Sequence, residues 1–253
     1  MPAASKGEPK YLQIAADLRA SIASGQRGPG SRLPGENDLM AAYQVARETA
    51  RKALAQLINE GIATPRRGAG VYVREFRPVI RNGIARLSGQ TWPDGKSVWG
   101  EEADGRTLEV DSIQVSEDDP PPRAAILLGL GDGERVLVRS RRYLLDGKPV
   151  LLARSYLPAS LAAGSQITQP DTGPGGTYAR LADLGHAPAR FREDLRARMP
   201  EPGEVTALGL DPGTPVVEII RTAYASDGRP VETSEMTADA SAYVFRYDFT
   251  GRR

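Results

Sequence analysis

Residues 46–73 read ARETARKALAQLINEGIATPRRGAGVYV, and the first half of that stretch already specifies a helix. Ala50, Ala53, Leu54, Leu57 and Ile58 recur at three- and four-residue steps, one face of a helix from about Ala46 to Asn59, and Gly61 ends it. The second half changes period. Ile62-Ala63-Thr64 and Val71-Tyr72-Val73 are short β-prone runs around the tip Pro65-Arg66-Arg67-Gly68-Ala69-Gly70, so they read as a hairpin. Upstream, Ile14, Leu18 and Ile22, with Ala15, form the apolar stripe of a helix from Tyr11 to Ser24, stopped at Gly25. After the turn-rich Gly28-Pro29-Gly30-Ser31, a short helix from Glu36 to Tyr43 uses Leu39 and Met40 as apolar contacts, and Gln44-Val45 breaks it. Three helices and a hairpin make a winged helix-turn-helix domain; the alternative is a small helical domain with an incidental hairpin.

Charge placement favours the winged helix. The 253 residues carry 33 Lys and Arg against 32 Asp and Glu, net +1, but residues 1–74 hold 11 of the cations against 6 anions, leaving 22 against 26 for the rest. Arg47 and Arg51 sit four apart on the polar face of the third helix, near its N-terminus, where recognition helices present side chains to base edges. Thr49 and Lys52 beside them suit phosphates. An exposed Arg pair alone is weak evidence, because Glu48 can pair with Lys52 at the i, i+4 spacing of an ordinary solvated face. Its coincidence with Arg66, Arg67 and Gly68 is stronger, since long cations on a thin loop can enter a minor groove beside the helix.

This run resembles the DNA-binding domain of GntR-type bacterial transcription regulators. The likeness lies in Pro9-Lys10-Tyr11, Gln13-Ile14, Leu18-Arg19, Ser24-Gly25, Pro29-Gly30, Leu33-Pro34, Glu36, Leu39, Val45, Arg47, Thr49, Arg51, Ala53-Leu54, Leu57, Glu60-Gly61, Gly68, Gly70 and Tyr72-Val73. The resemblance implies that Arg47, Arg51 and the glycine-bearing wing tip contact operator DNA and that Thr49 contacts a phosphate or base. Gly35, Ala46 and Val71 depart from the usual Ser or Thr, but none removes a cation, and Gly as an N-cap costs only a few tenths of a kcal/mol against Ser, roughly. Asn37 stands where some relatives place Arg, which bears on base preference.

Residues 75–90 lack periodicity and read as a linker between a domain at 1–74 and one at 91–253. The second domain contains an internal echo. Leu128-Gly129-Leu130, Gly133, Val136, Tyr143 and Asp146-Gly147-Lys148-Pro149-Val150 are matched by Leu208-Gly209-Leu210, Gly213, Val216, Tyr224 and Asp227-Gly228-Arg229-Pro230-Val231, the second copy one residue longer. Each copy reads as helix end, turn, strand, Asp-Gly hairpin turn and returning strand, which predicts a pseudo-symmetric antiparallel sheet. With helices at Tyr178–Leu184 and Gly203–Leu208 the fold class is α+β. This half resembles, over about residues 80–250, the UTRA effector domain of the HutC-type branch, similar in fold to chorismate lyase. Its markers are Arg141-Arg142, Ser155-Tyr156-Leu157-Pro158, Leu184-Gly185 and the two Asp-Gly turns; Ala240 after Asp239 replaces a frequent Arg.

On an alternating strand Arg139, Arg141 and Tyr143 share one face, while Ser155, Tyr156 and Glu232 come from returning strands. Arg beside hydroxyls suits a carboxylate or phosphate, because the guanidinium fork makes charge-assisted bidentate bonds. The resemblance implies ligand contacts at Arg139 or Arg141, Ser155 and Glu232; the alternative is that these arginines face solvent or pair across the sheet. Gln169–Gly176, rich in Pro and Gly, reads as a lid or a surface loop. Asp118-Asp119-Pro120-Pro121-Pro122 reads as a stiff surface connection, and His186 as a structural turn residue.

With no Cys and one His, thiol nucleophiles, disulfides and Cys- or His-based metal sites are excluded; no catalytic residue, metal or cofactor is expected. No run of 18 apolar residues or signal peptide is present, so the expected location is cytoplasmic, away from membranes. The leading expectation is a homodimeric repressor on an inverted-repeat operator, with affinity modulated by a small, anionic effector. The alternatives are a ligand-independent regulator of a plasmid or conjugative element and a lyase-like enzyme.

Overall fold

The computed structural model describes residues 8–83, 87 and 105–249. They fall into two compact units dividing at Arg77 and Pro78, with the segment Asp211–Thr214 counted with the first. No described helix is long and apolar enough to cross a membrane.

In the first unit, helices α1 (Lys10–Ala23), α2 (Glu36–Tyr43) and α3 (Arg47–Asn59) precede the antiparallel pair β1 (Ala63–Arg66) and β2 (Gly70–Val73). The sequence stripes become the core: Ile14, Leu18, Leu39, Ala50, Ala53, Leu54 and Leu57 are buried together with Leu33, Ala63 and Val73. Arg19 of α1 reaches Glu60, just past α3, through Nη2 at 2.7 Å. Gly35 caps α2 as expected, its N–H donating to the Asp38 carboxylate at 2.9 Å. The turn-rich segment Gly30–Leu33 does more than turn. Its backbone bonds to Val71 and Val73, adding a third lane to the wing.

The second unit is a six-stranded antiparallel sheet of order β4-β5-β6-β9-β8-β7. The expected repeat is its organising feature. β4 (Leu108–Asp118), α4 (Pro122–Leu128), β5 (Val136–Leu145) and β6 (Lys148–Pro158) recur as β7 (Pro188–Arg198), α7 (Pro202–Leu208), β8 (Val216–Ala225) and β9 (Pro230–Asp239). Asp146 and Gly147, at φ 51° and 76°, form the two-residue turn from β5 to β6, with the backbone twist that hairpins favour.

Helices α4 and α7 pack on one sheet face, around Val136, Val138 and Tyr156 and around Leu152 and Val216. The other face carries α5 (Ala159–Ala162), a 3-10 turn at Gln166–Thr168 and α6 (Gly176–Asp183), packed on Leu137, Leu157 and Ala223. Two expectations change. The Asp118–Pro122 stretch is no free connection: Asp118 ends β4, Pro121 caps α4 and Pro122 is its first residue. The linker range 75–90 contains β3 (Val79–Asn82), paired in parallel with β10 (Tyr243–Arg246), while residues 84–86 and 88–90 lie outside the described residues.

Candidate nucleic-acid interface and effector cavity

The N-terminal turn of α3 presents its cations to solvent. Arg47 and Arg51 are about two-thirds exposed, at 67% and 65% of their side chains, Lys52 is exposed, and Thr49 is half-buried. Arg47 is steered from α2, with Nε 3.1 Å from Glu36 and Nη2 donating to Asn37 at 3.3 Å. Glu48 bonds Arg51 at 2.5 Å, one helical turn away, and not Lys52, the partner an ordinary solvated face would offer, and Lys52 is left exposed. Such exposed pairs are worth under about 1 kcal/mol and exchange readily for a phosphate or base edge.

The wing differs from its sequence reading in one respect. Arg66 lies not on the tip but in β1, opposite Gly70, with its guanidinium 4.1 Å from the centre of the Tyr72 ring. The tip narrows to Arg67, Gly68 and Ala69, and Gly68 at φ 73° makes the reversal possible. Two cations that sequence reasoning did not single out, Arg27 and Arg32, line a groove with Arg47. Arg32 lies against the wing: a Cβ on Gly70 would come 3.2 Å from its Nε.

In the second unit a cavity of about 440 Å³ opens on the α6 face of the sheet. Four of the six expected ligand residues line it: Arg139, Arg141, Tyr143 and Glu232. Ser155 lies behind them at zero exposure, bonding Arg141 Nη2 and, at 2.9 Å, the Ser234 hydroxyl, which donates to Glu232 at 3.1 Å. A relay of two hydroxyls thus joins the cationic and anionic walls. Tyr156 stands apart. Successive strand residues point to opposite faces, so with Ser155 on the cavity side Tyr156 packs against Ala124 and Leu128 of α4.

The Gln169–Gly176 stretch forms a cavity wall through Pro170, Asp171, Thr172, Gly173, Gly175 and Gly176. Arg139 ties its start in place: Nη1 donates to the carbonyls of Ile167 and Gln169, both at 2.5 Å, and Nη2 to that of Pro170 at 2.8 Å. Burial first, then repulsion from Arg141, pulls the Arg139 guanidinium down to about 10 against the attraction of Glu232.

A third arginine, Arg221 on β8, also lines the cavity and is 5% exposed. It was legible in the repeat: Arg221 occupies in β8 the position of Arg141 in β5, five residues after the first strand residue in each. Nε of Arg139, Nε of Arg141, and Nε and Nη1 of Arg221 are buried without hydrogen-bond partners. Buried donors of this kind demand an acceptor. Among the described residues no group of three or more His, Asp or Glu side chains could hold a metal ion.

Comparison with known proteins fits both halves. Residues 10–73 match the gntR family of bacterial regulatory proteins and residues 103–244 match the UTRA domain. The chain belongs to the GntR family of regulators and carries a UTRA effector domain. An uncharacterized HTH-type transcriptional regulator of Streptomyces coelicolor is 32% identical, over 95% of this chain and 93% of its own. The HTH-type transcriptional repressor NagR of Bacillus subtilis is 26% identical, over 94% and 93%. A crystal structure assigned to the GntR family of transcriptional regulators superposes with a TM-score of 0.68 at 30% identity, covering 97% of this chain and 99% of that one. The PhnF structure from Mycobacterium smegmatis, at 24% identity and a TM-score of 0.59 over 94% and 100%, shares the fold. This GntR-family chain is therefore a helix-turn-helix regulator with a ligand-binding domain.

Proposed function

We propose that this GntR-family regulator is a cytoplasmic homodimeric repressor that reads an inverted-repeat operator and responds to a small anionic effector, without a cofactor. Residues 1–74 supply the DNA-binding domain, 75–90 the linker, and 91–253 the effector and dimerisation domain. Arg47 and Arg51 read base edges, each good bidentate contact discriminating by about 1–3 kcal/mol. Thr49 and Lys52 hold phosphates, while Arg66, Arg67 and Gly68 bring the wing to the adjacent groove. The names of NagR and of the PhnF repressor support the repressor sense.

The observation that carries the effector reading is the convergence of Arg139, Arg141 and Arg221 on one cavity, with four buried donor nitrogens lacking acceptors. A carboxylate or phosphate supplies those acceptors. Arg141 is the anion contact; Tyr143 and Glu232 shape the wall; Ser155 orients Arg141 from behind; and Arg139 acts chiefly as a positioning residue for the 167–170 backbone. Tyr156 belongs to the opposite face.

Selection of bound duplexes from a random pool tests the DNA half. The expected product is two half-sites related by a dyad, at a spacing near one helical turn, roughly 10 bp, or a multiple of it. Enrichment of no sequence, or of a solitary half-site, overturns the dimeric operator reading.

A further inference from the structure

The cavity wall and the linker strand share a carboxylate. Arg81, the third residue of β3, is 1% exposed, and its Nη2 lies 3.2 Å from Oε1 of Glu193 on β7. The same Oε1 is 3.9 Å from Nη1 of Arg221, which faces Glu193 across the β7–β8 register. The other oxygen, Oε2, accepts from the Tyr247 hydroxyl at 3.2 Å. Tyr247 lies across the end of β3 so closely that a Cβ on Gly83 would meet its ring at 2.1 Å. Glu193 therefore holds the linker strand and the segment after β10 while also facing a cavity arginine.

Resting on the effector reading of the cavity, we propose that Arg221 is a second anion-recognition residue and that an anion bound to it tightens the grip of Glu193 on Arg81, so that cavity occupancy is registered in the β3–β10 pair. Two buried guanidinia beside one carboxylate repel each other and compete for it. An anion on Arg221 supplies hydrogen-bond acceptors for Nε and Nη1, which make no hydrogen bond of their own, and compensates its charge, which leaves Glu193 to Arg81. Linkage makes the effect reciprocal: whatever loosens Arg81 weakens anion binding by the same factor. A staple that merely holds β3 in place would respond to neither change.

Amide hydrogen exchange on the full chain separates these cases, with residues 78–83 and 242–247 as the reporting segments and 150–158 as the internal reference. The Val79 and Gly83 N–H groups donate to the Ala242 and Arg246 carbonyls, both at 2.8 Å, so they report directly on the pair. In protein without added anion, Arg221→Met removes the competing cation and is expected to slow exchange of 78–83 several-fold relative to the reference. Inorganic phosphate added to the unsubstituted protein is expected to protect both 167–176 and 78–83, and to do neither in Arg221→Met. Protection of 167–176 with 78–83 unmoved overturns the coupling and leaves the effector reading standing. If phosphate moves neither segment, the phosphate form of the effector reading fails, and the coupling is decided by Arg221→Met alone: unchanged or faster exchange at 78–83 overturns it.

Discussion

Replacing Arg139 by Met removes a cation of the cavity while nearly preserving its volume, and the structure sets the size of the response. Three carbonyls lose their donor. That of Ile167 is bonded in a buried setting and cannot recover a partner from water, whereas those of Gln169 and Pro170 are only partly buried and can. A buried charge-assisted bond is worth about 1.5–3 kcal/mol. Against that loss stands the relief of a buried charge: burial holds the guanidinium well below its ordinary value, at about 10, and with solvent screening at the cavity the cost is on the order of 2 kcal/mol. The terms nearly cancel, so global stability is expected to fall by no more than about 2 kcal/mol. The local effect has no such compensation. The 167–173 backbone loses its tether, and amide exchange there is expected to rise well above that of β5 and β6. Urea unfolding gives the first quantity and hydrogen exchange the second. Unaltered exchange at 167–173 would refute the positioning role of Arg139, and a global loss far beyond 2 kcal/mol would refute the cancellation.

Other consequences follow from the two units taken separately. Arg47→Ala is expected to relax operator sequence preference, whereas Lys52→Ala weakens all duplexes alike and lowers the salt slope by about 0.9 for the lost phosphate contact; competition binding at several salt concentrations distinguishes them. Glu204 is held down to about 2, first by its bonds with Arg198 at 2.7 Å and then by the Glu201 N–H and the Thr237 hydroxyl, against the opposing effect of burial. Its folded value lies below the ordinary 4.5, so this stabilisation, about 1 kcal/mol once solvent screening is counted, is fully present above pH 4.5 and fades as the pH falls toward 2. In Glu204→Gln, stability should lose that part of its acid dependence; an unchanged acid unfolding profile would count against the assignment. Gly83→Ala should displace Tyr247 from Glu193 and speed exchange at 242–247, and an unaffected segment would argue that Tyr247 adds nothing to the anchor.

The helices of the first unit were legible almost to the residue, because their apolar steps, their glycine stops and the Leu33-Pro34 entry all agree. The third lane of the wing at Gly30–Leu33 was not, since Gly28-Pro29-Gly30 signals a turn more loudly than three pairing residues signal a strand. In the second unit the two Asp-Gly turns exposed the repeat and hence four central strands. Its edge strands β4 and β7 escaped notice for a physical reason: they are largely exposed on both faces, so no alternation is imposed, and Ser112 at φ 51° interrupts β4 where its register with β5 shifts. Candidate site residues were harder. Ser155 and Tyr156 cannot both face one cavity, which alternation alone could have shown. Arg221 could have been found by carrying Arg141 across the repeat. The engagement of Arg139 with three carbonyls depends on a loop nearly thirty residues away in sequence, and no local pattern announces it.

Whether Arg141 reads an anion in the cavity is decided by thermal unfolding of the full chain against a panel of small carboxylates and phosphates, with Arg141→Ala beside it. At least one anion, at 100 times its dissociation constant, is expected to stabilise the protein by about 2.7 kcal/mol and to lose most of that effect in Arg141→Ala. Stabilisation of equal size in the variant, or no stabilising anion at all, would contradict that role of Arg141.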